Sequence, residues 1–147
     1  MSQDHIENAR VPLQIERMRI AQEQGICCFC REHFENYHTA PVEIENNSFL
    51  VAKNDFPYDG ATSHWLIVSK RHVTTPLELS IGEWGDFQAV LLKLSEIDPH
   101  PGAGLVMRYG EPSFTGATIA HLHAHVIYGV SGTPQDEKIS VFLGYKK

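Results

Sequence analysis

Nine consecutive residues constrain this chain more than any other stretch: Ile119-Ala120-His121-Leu122-His123-Ala124-His125-Val126-Ile127 alternates histidine with apolar side chains through its middle. A period of two is that of a β-strand, in which successive side chains point to opposite faces. The pattern predicts a strand over Ile119–Tyr128, with His121, His123 and His125 on one surface at spacings of ~7 Å and Leu122, Ala124 and Val126 on the other. One histidine on such a strand is most simply a surface or hydrogen-bonded core residue. Three in strict alternation ask for chemistry: either they ligate one metal ion, or they serve nucleophilic and acid–base steps.

The remaining sequence supplies a frame for that strand. Pro12 suits a first helical turn and Gly25 a helix stop, so a helix is expected at about residues 12–24. Phe49-Leu50-Val51-Ala52 and Trp65-Leu66-Ile67-Val68 read as neighbouring strands joined by a loop rich in turn formers. Ser80 with Glu83 forms a capping-box pattern ahead of Trp84, Phe87, Leu91 and Leu94, and Pro99 enforces a stop, which places a second helix at about 81–97. Leu105-Val106-Met107-Arg108 is a further strand, followed by a Gly/Pro/Ser-rich turn from Gly110 to Gly116. The expectation is an α+β fold, an antiparallel sheet with packed helices.

With 147 residues and 42% apolar content the chain can bury one compact core, and a single domain over 1–147 is expected, its core at about 26–130 and its C-terminal tail at 131–147. That tail ends in Val141-Phe142-Leu143 and docks either on its own domain or on a partner subunit. A net charge of −6 argues against a nucleic-acid duplex or an anionic membrane as partner, so any phosphate must be held by a local site. Met1–Arg10 is polar and no run approaches a membrane span, which points to the cytoplasm. The three cysteines stand together in Cys27-Cys28-Phe29-Cys30. In a reducing compartment the Cys27-x-x-Cys30 spacing suits two thiolates on one tetrahedral ion; a redox pair would need a thioredoxin-like setting, and ordinary buried thiols are the plain alternative.

His121-Leu122-His123-Ala124-His125-Val126-Ile127 resembles the signature of the histidine-triad family, in which three histidines alternate with apolar residues. Two further segments are similar: Gly116-Ala117-Thr118-Ile119 to the family's phosphate-contacting Gly-Gln-Ser-Val turn, with Ala117 departing, and His64-Trp65-Leu66-Ile67-Val68-Ser69-Lys70-Arg71-His72 to its His-x-Leu-Val-Ile-Pro-Lys-x-His strand. The resemblance implies a fold of the histidine-triad type and a catalytic set of His121, His123 and His125. The middle residue, His123, would attack phosphorus to form a covalent nucleotidyl-histidine. His125 would contact the phosphate and help protonate the leaving oxygen, while Thr118 and the amides after Gly116, including that of Ala117, would hold the non-bridging oxygens.

The resemblance extends to zinc-containing branches of the superfamily and implies a structural zinc, one per chain, on Cys27, Cys30, His72 and His121. By register with the family's ribose-contacting loop, Asn54 reaches the sugar hydroxyls, with Asp55 a neighbour easily confused with it. Arg108 lies where the family often has a polar phosphate contact, but Arg108-Tyr109-Gly110 lacks its asparagine, and a surface arginine is the plainer reading.

The implied substrates are nucleoside phosphates, phosphoramidates or dinucleoside polyphosphates, and the implied assembly is a homodimer. Hydrolysis is favoured because His125 occupies the position that is glutamine in the uridylyltransferase branch. A dinucleoside polyphosphate phosphorylase, a nucleotide-sensing adaptor without useful turnover, and a metal-dependent enzyme with three histidine ligands are the rivals.

Overall fold

The computed structural model describes residues 4–147; residues 1–3 of the stretch Met1–Arg10 and of the expected 1–147 domain lie outside the described residues. The chain builds a five-stranded antiparallel sheet in the order β1-β2-β3-β5-β4. Its strands are β1 (Val42–Glu45), β2 (Phe49–Lys53), β3 (Ser63–Ser69), β4 (Gly104–Met107) and β5 (His123–Tyr128), with helices α1 (Pro12–Gln24), α2 (Arg31–Tyr37), α3 (Ile81–Ile97) and α4 (Pro112–Thr115). The mixed helical and antiparallel architecture is the one expected.

Two apolar layers lock the sheet. Phe87, Val90 and Leu94 of α3 pack on Phe49, Val51, Trp65, Ile67, Ala124, Val126 and Tyr128, which share one face by the period of two. Phe34 of α2 packs on the opposite face with Leu50, Ala52, Leu66 and Val68. Each fully buried side chain of this size contributes about 1.5–3 kcal/mol. The capping box that starts α3 is formed: the Glu83 amide donates to Ser80 Oγ (3.1 Å) and the Ser80 amide to Glu83 Oε2 (2.8 Å).

Four details differ from the sequence reading. The histidine strand begins at His123, because upstream backbone groups bond irregular segments: the Ala120 amide donates to Asp4 Oδ1 (2.7 Å) and the Leu122 amide to the Val73 carbonyl (2.7 Å). Arg108 falls just beyond β4. The turn from Gly110 to Gly116 contains the single helical turn α4, closed by Gly116 at φ +71°. The short elements α2 and β1 had no sequence expectation at all. α2 presents one buried residue, Phe34, and β1 is an edge strand with two half-buried residues, so neither has enough apolar positions to show a period.

Register places the site. β3 and β5 are central neighbours, pairing Leu66 with His125 and Val68 with His123. His64 pairs with Ile127, two residues from His125 on the same face. Among the described residues no helix is long and apolar enough to cross a membrane.

Candidate active site

His121, His123 and His125 are all buried, and each ring is fixed by a different partner. His123 Nδ1 lies 2.7 Å from the His121 carbonyl. A carbonyl only accepts, so Nδ1 carries the proton and Nε2 keeps its lone pair. His121 Nε2 lies 2.6 Å from the Ser69 carbonyl, which by the same logic leaves the lone pair on Nδ1. For His125 the chain of inference starts at Tyr58, whose amide donates to His64 Nδ1 (3.0 Å). Because that 3.0 Å backbone contact is the shorter of the two donors reaching the ring, the neutral His64 carries its proton on Nε2, which sits 2.8 Å from His125 Nδ1 and leaves the 3.2 Å approach of Asn54 Nδ2 to the same atom without an acceptor. His125 accepts there and bears its own proton on Nε2.

Neutral rings follow from burial. It pushes His64, His121 and His123 down to about 4 and His125 well below the ordinary imidazole range. The positive charge of Arg108 adds to the shift at His64, His123 and His125. At neutral pH the site thus offers one unprotonated ring nitrogen, on His123, and one N–H donor, on His125.

Both rings line a cavity of about 330 Å³, together with Asn54, Phe56, Tyr58, Arg108, Gly116 and Thr118. Phe29 meets the His123 ring edge-on at 5.0 Å, and Tyr58 stacks on His125 at 5.4 Å. Arg10 lies over the Tyr58 ring at 4.6 Å and Arg17 over Phe56 at 5.2 Å. The C-terminal tail contributes Phe142, Gly144 and Tyr145. The Tyr145 hydroxyl donates to Asn8 Oδ1 (3.0 Å) and the Phe142 carbonyl accepts from Arg108 Nη1 (3.1 Å), so the tail docks on its own chain.

Several expected roles change with placement. His121 does not line the cavity; its carbonyl orients His123 while its ring turns to the cysteines. The Ala117 amide is turned inward to Thr115 Oγ1 (3.2 Å), and Ala117 is absent from the lining, which leaves Gly116 and Thr118 at the wall. Asn54 reaches the cavity, but its Oδ1 is already taken by the Phe56 amide (2.9 Å). Asp55 is excluded: its carboxylate binds Arg17 and the amides of Thr39 and Ala40. Arg108, read as a surface residue, is a pocket residue. His64 and Tyr58 had no role in the sequence reading. His64 was findable, since it stands in phase with Leu66 and Val68 on the face of β3 that carries the site.

Beside this pocket, Cys27, Cys30, His72 and His121 bring one ligand atom each to within 4.8 Å of one another. His121 Nδ1 is 3.5 Å from Cys27 Sγ, 3.7 Å from Cys30 Sγ and 3.2 Å from His72 Nδ1, and Cys30 Sγ is 3.3 Å from His72 Nδ1. Tetrahedral zinc with ordinary bond lengths separates its nitrogen ligands by about 3.3 Å and its nitrogen–sulfur pairs by about 3.6 Å. The donor set therefore fits zinc. Burial pushes both thiols up, so without a cation they keep their protons.

No family model matches the chain, and no curated protein matches it by sequence. Solved structures do match by shape. A HIT family hydrolase from Clostridium thermocellum superposes with a TM-score of 0.59 at 24% identity, over 74% of this chain and 95% of its own. A hypothetical histidine triad nucleotide-binding protein from Sulfolobus tokodaii gives 0.56 at 20% identity, over 82% of each chain. A zinc-bound histidine triad family protein from Mycobacterium smegmatis gives 0.55 at 19% identity, over 78% of this chain and 82% of its own. With its sheet order, its helical layers and its histidine strand, the chain has the fold of the histidine-triad proteins.

Proposed function

We propose that this chain is a nucleotide-binding enzyme of the histidine-triad family, a hydrolase or nucleotidyl transferase that works through a covalent nucleotidyl-histidine. The observation that carries this reading is the 2.7 Å bond from His123 Nδ1 to the His121 carbonyl, which leaves Nε2 as a buried, unprotonated nucleophile at the wall of a cavity lined by Arg108 and the N–H of His125. His123 Nε2 forms a bond to phosphorus as the bond to the leaving group breaks, and the electron pair departs with that group. His125 Nε2–H stabilises the charge that develops on the leaving atom. Water, or inorganic phosphate in a phosphorylase, then displaces the nucleotide. Thr118 and the backbone at Gly116 face the non-bridging oxygens, Phe56 and Tyr58 offer aromatic surface to a base, and Asn54 is the ribose contact. The substrate is a nucleoside phosphate, phosphoramidate or dinucleoside polyphosphate.

Cys27, Cys30, His72 and His121 would hold one zinc ion, whose four protein ligands leave no open position, so its contribution is structural. Three free cysteines suit a reducing, cytoplasmic setting. A homodimer would form along the sheet edge at β4, where Leu105 is half exposed.

Incubation with a panel of labelled nucleotides, quenched in alkali, is expected to leave an adduct that mass spectrometry maps to His123. His123→Ala is expected to lower turnover by at least about 10³-fold with fold and zinc content intact. An adduct on another residue, or retained activity in the variant, sinks the assignment. Tight binding without product over hours would instead favour the nucleotide-sensing adaptor.

A further inference from the structure

The pocket contains a conflict that no atom of the described residues resolves. His125 Nε2 bears a proton, for the reason traced from the Tyr58 amide through His64, yet Arg108 Nη2 approaches it to 3.4 Å with an N–H directed at it. Guanidinium nitrogens only donate. One of the two contacts of His125 must therefore be a face-off between hydrogens. The 2.8 Å contact to His64 is a normal hydrogen-bond length and the 3.4 Å contact to Arg108 is not, so the face-off lies between His125 and Arg108.

Arg108 is short of acceptors elsewhere too. Among the described residues its partners are the neutral Gly116 carbonyl (3.4 Å), Phe142 carbonyl (3.1 Å) and Tyr58 hydroxyl (3.3 Å), and its buried Nε has none. Two converging donors beside an unpaired buried donor on a permanent cation ask for oxygen atoms that carry negative charge. The partner that Arg108 adjoins is the very N–H placed to meet the leaving atom.

We propose that Arg108 makes this site select a leaving group that departs as a phosphate anion, the nucleoside polyphosphate half of a dinucleoside polyphosphate, over one that departs as an amine. This rests on the nucleotidyl-histidine reading given above. In the favoured reaction the His123 Nε2–P bond forms, the P–O bond to the departing phosphate breaks, and the electron pair stays on an oxygen held between Arg108 and His125. A departing nucleoside polyphosphate needs no proton at neutral pH. An amine departs only after its nitrogen has gained a proton, and His125 is a neutral ring that burial holds far from the imidazolium form.

The test compares two substrates that share one nucleoside 5′-phosphoryl group: a symmetric dinucleoside polyphosphate and a nucleoside phosphoramidate. For each, kcat/KM is measured with the wild type, Arg108→Gln and Arg108→Lys. In Arg108→Gln the ratio of kcat/KM for the polyphosphate over the phosphoramidate is expected to fall by about thirty-fold or more, and Arg108→Lys, which keeps the charge but not the fork, recovers part of it. An unchanged ratio overturns the proposal, because it would mean that Arg108 holds the phosphoryl group common to both substrates or supports the fold alone. Thermal unfolding of both variants identifies the second of those cases. Absence of turnover and of a His123 adduct with either substrate in the wild type defeats the underlying reading instead.

Discussion

Two histidine clusters lie side by side in this molecule and present opposite faces of the same chemistry. At Cys27, Cys30, His72 and His121, four atoms able to ligate a metal converge: the two Nδ1 atoms lie 3.2 Å apart, with both sulfurs close by. At His125 and Arg108, hydrogens converge. The first arrangement suits a cation and the second an anion. The difference comes from which ring nitrogen the backbone has claimed. The Ser69 carbonyl takes the Nε2 proton of His121, the His121 carbonyl takes the Nδ1 proton of His123, and the Tyr58 amide sets His125 through His64. Identical side chains two residues apart thereby turn a lone pair toward the cysteines, a lone pair toward the cavity and an N–H toward the cavity.

The largest effect that separates the clusters is metal loss. Cys30→Ser removes a ligand from the first cluster and touches nothing in the second. Zinc content measured by elemental analysis is expected to fall to near zero, and stability by about 3–5 kcal/mol, since structural zinc contributes its binding energy to folding. A Cys30→Ser protein that keeps full zinc would remove Cys30 from the ligand set, and one that loses zinc yet unfolds at the wild-type temperature would erase the contrast by showing that the fold does not depend on a cation there.

Acid tests the second cluster by titration. His64 ionises normally near 6.5 in the unfolded chain and near 4 in the buried site. Between those values the unfolded state binds the extra proton, so stability falls as pH drops through that window, and above 6.5 the group contributes no penalty. The difference amounts to about 3 kcal/mol by pH 4. Comparison of wild type with His64→Phe isolates this contribution from any metal release in acid, which would be common to both proteins. The wild type should lose about 3 kcal/mol more between pH 6.5 and 4. Parallel curves would mean that His64 titrates as an exposed ring.

Legibility in the sequence tracks how local each determinant is. The capping box of α3 needs only Ser80 and Glu83, three residues apart, and was readable with the helix it starts. The period of two in β5 and the Cys27-x-x-Cys30 spacing were readable for the same reason, and resemblance supplied His72 and His121 as their partners. The tautomers were not readable, because Ser69 lies 52 residues from the ring it fixes and His64 lies 61 from His125. Arg108 looked like surface because its surroundings are assembled from Tyr58, Gly116 and Phe142, far apart in the chain. The strand reading ran four residues too long since periodicity records side chains, whereas the backbone of Ala120 and Leu122 bonds to Asp4 and Val73.

The smallest effect is also the most specific to the comparison. His64 touches no reacting atom in the proposed chemistry; it acts by holding His125 Nδ1 as an acceptor, so it is a positioning residue. His64→Gln retains a donor of similar length, whereas His64→Leu removes it and frees His125 to place its proton on Nδ1 and accept from Arg108 at Nε2. That tautomer would satisfy the arginine and withdraw the N–H from the leaving atom. His64→Leu should therefore lower kcat by about 10- to 100-fold with KM little changed, the signature of an interaction made in the transition state, and His64→Gln should recover part of the loss. Nitrogen-15 chemical shifts of His125 supply the readout that a merely structural role would not move: in His64→Leu the protonated nitrogen switches from Nε2 to Nδ1. If kcat falls while the shifts stay put, His64 is only packing, and the anion-seeking face of this site must be set by something other than the backbone of Tyr58.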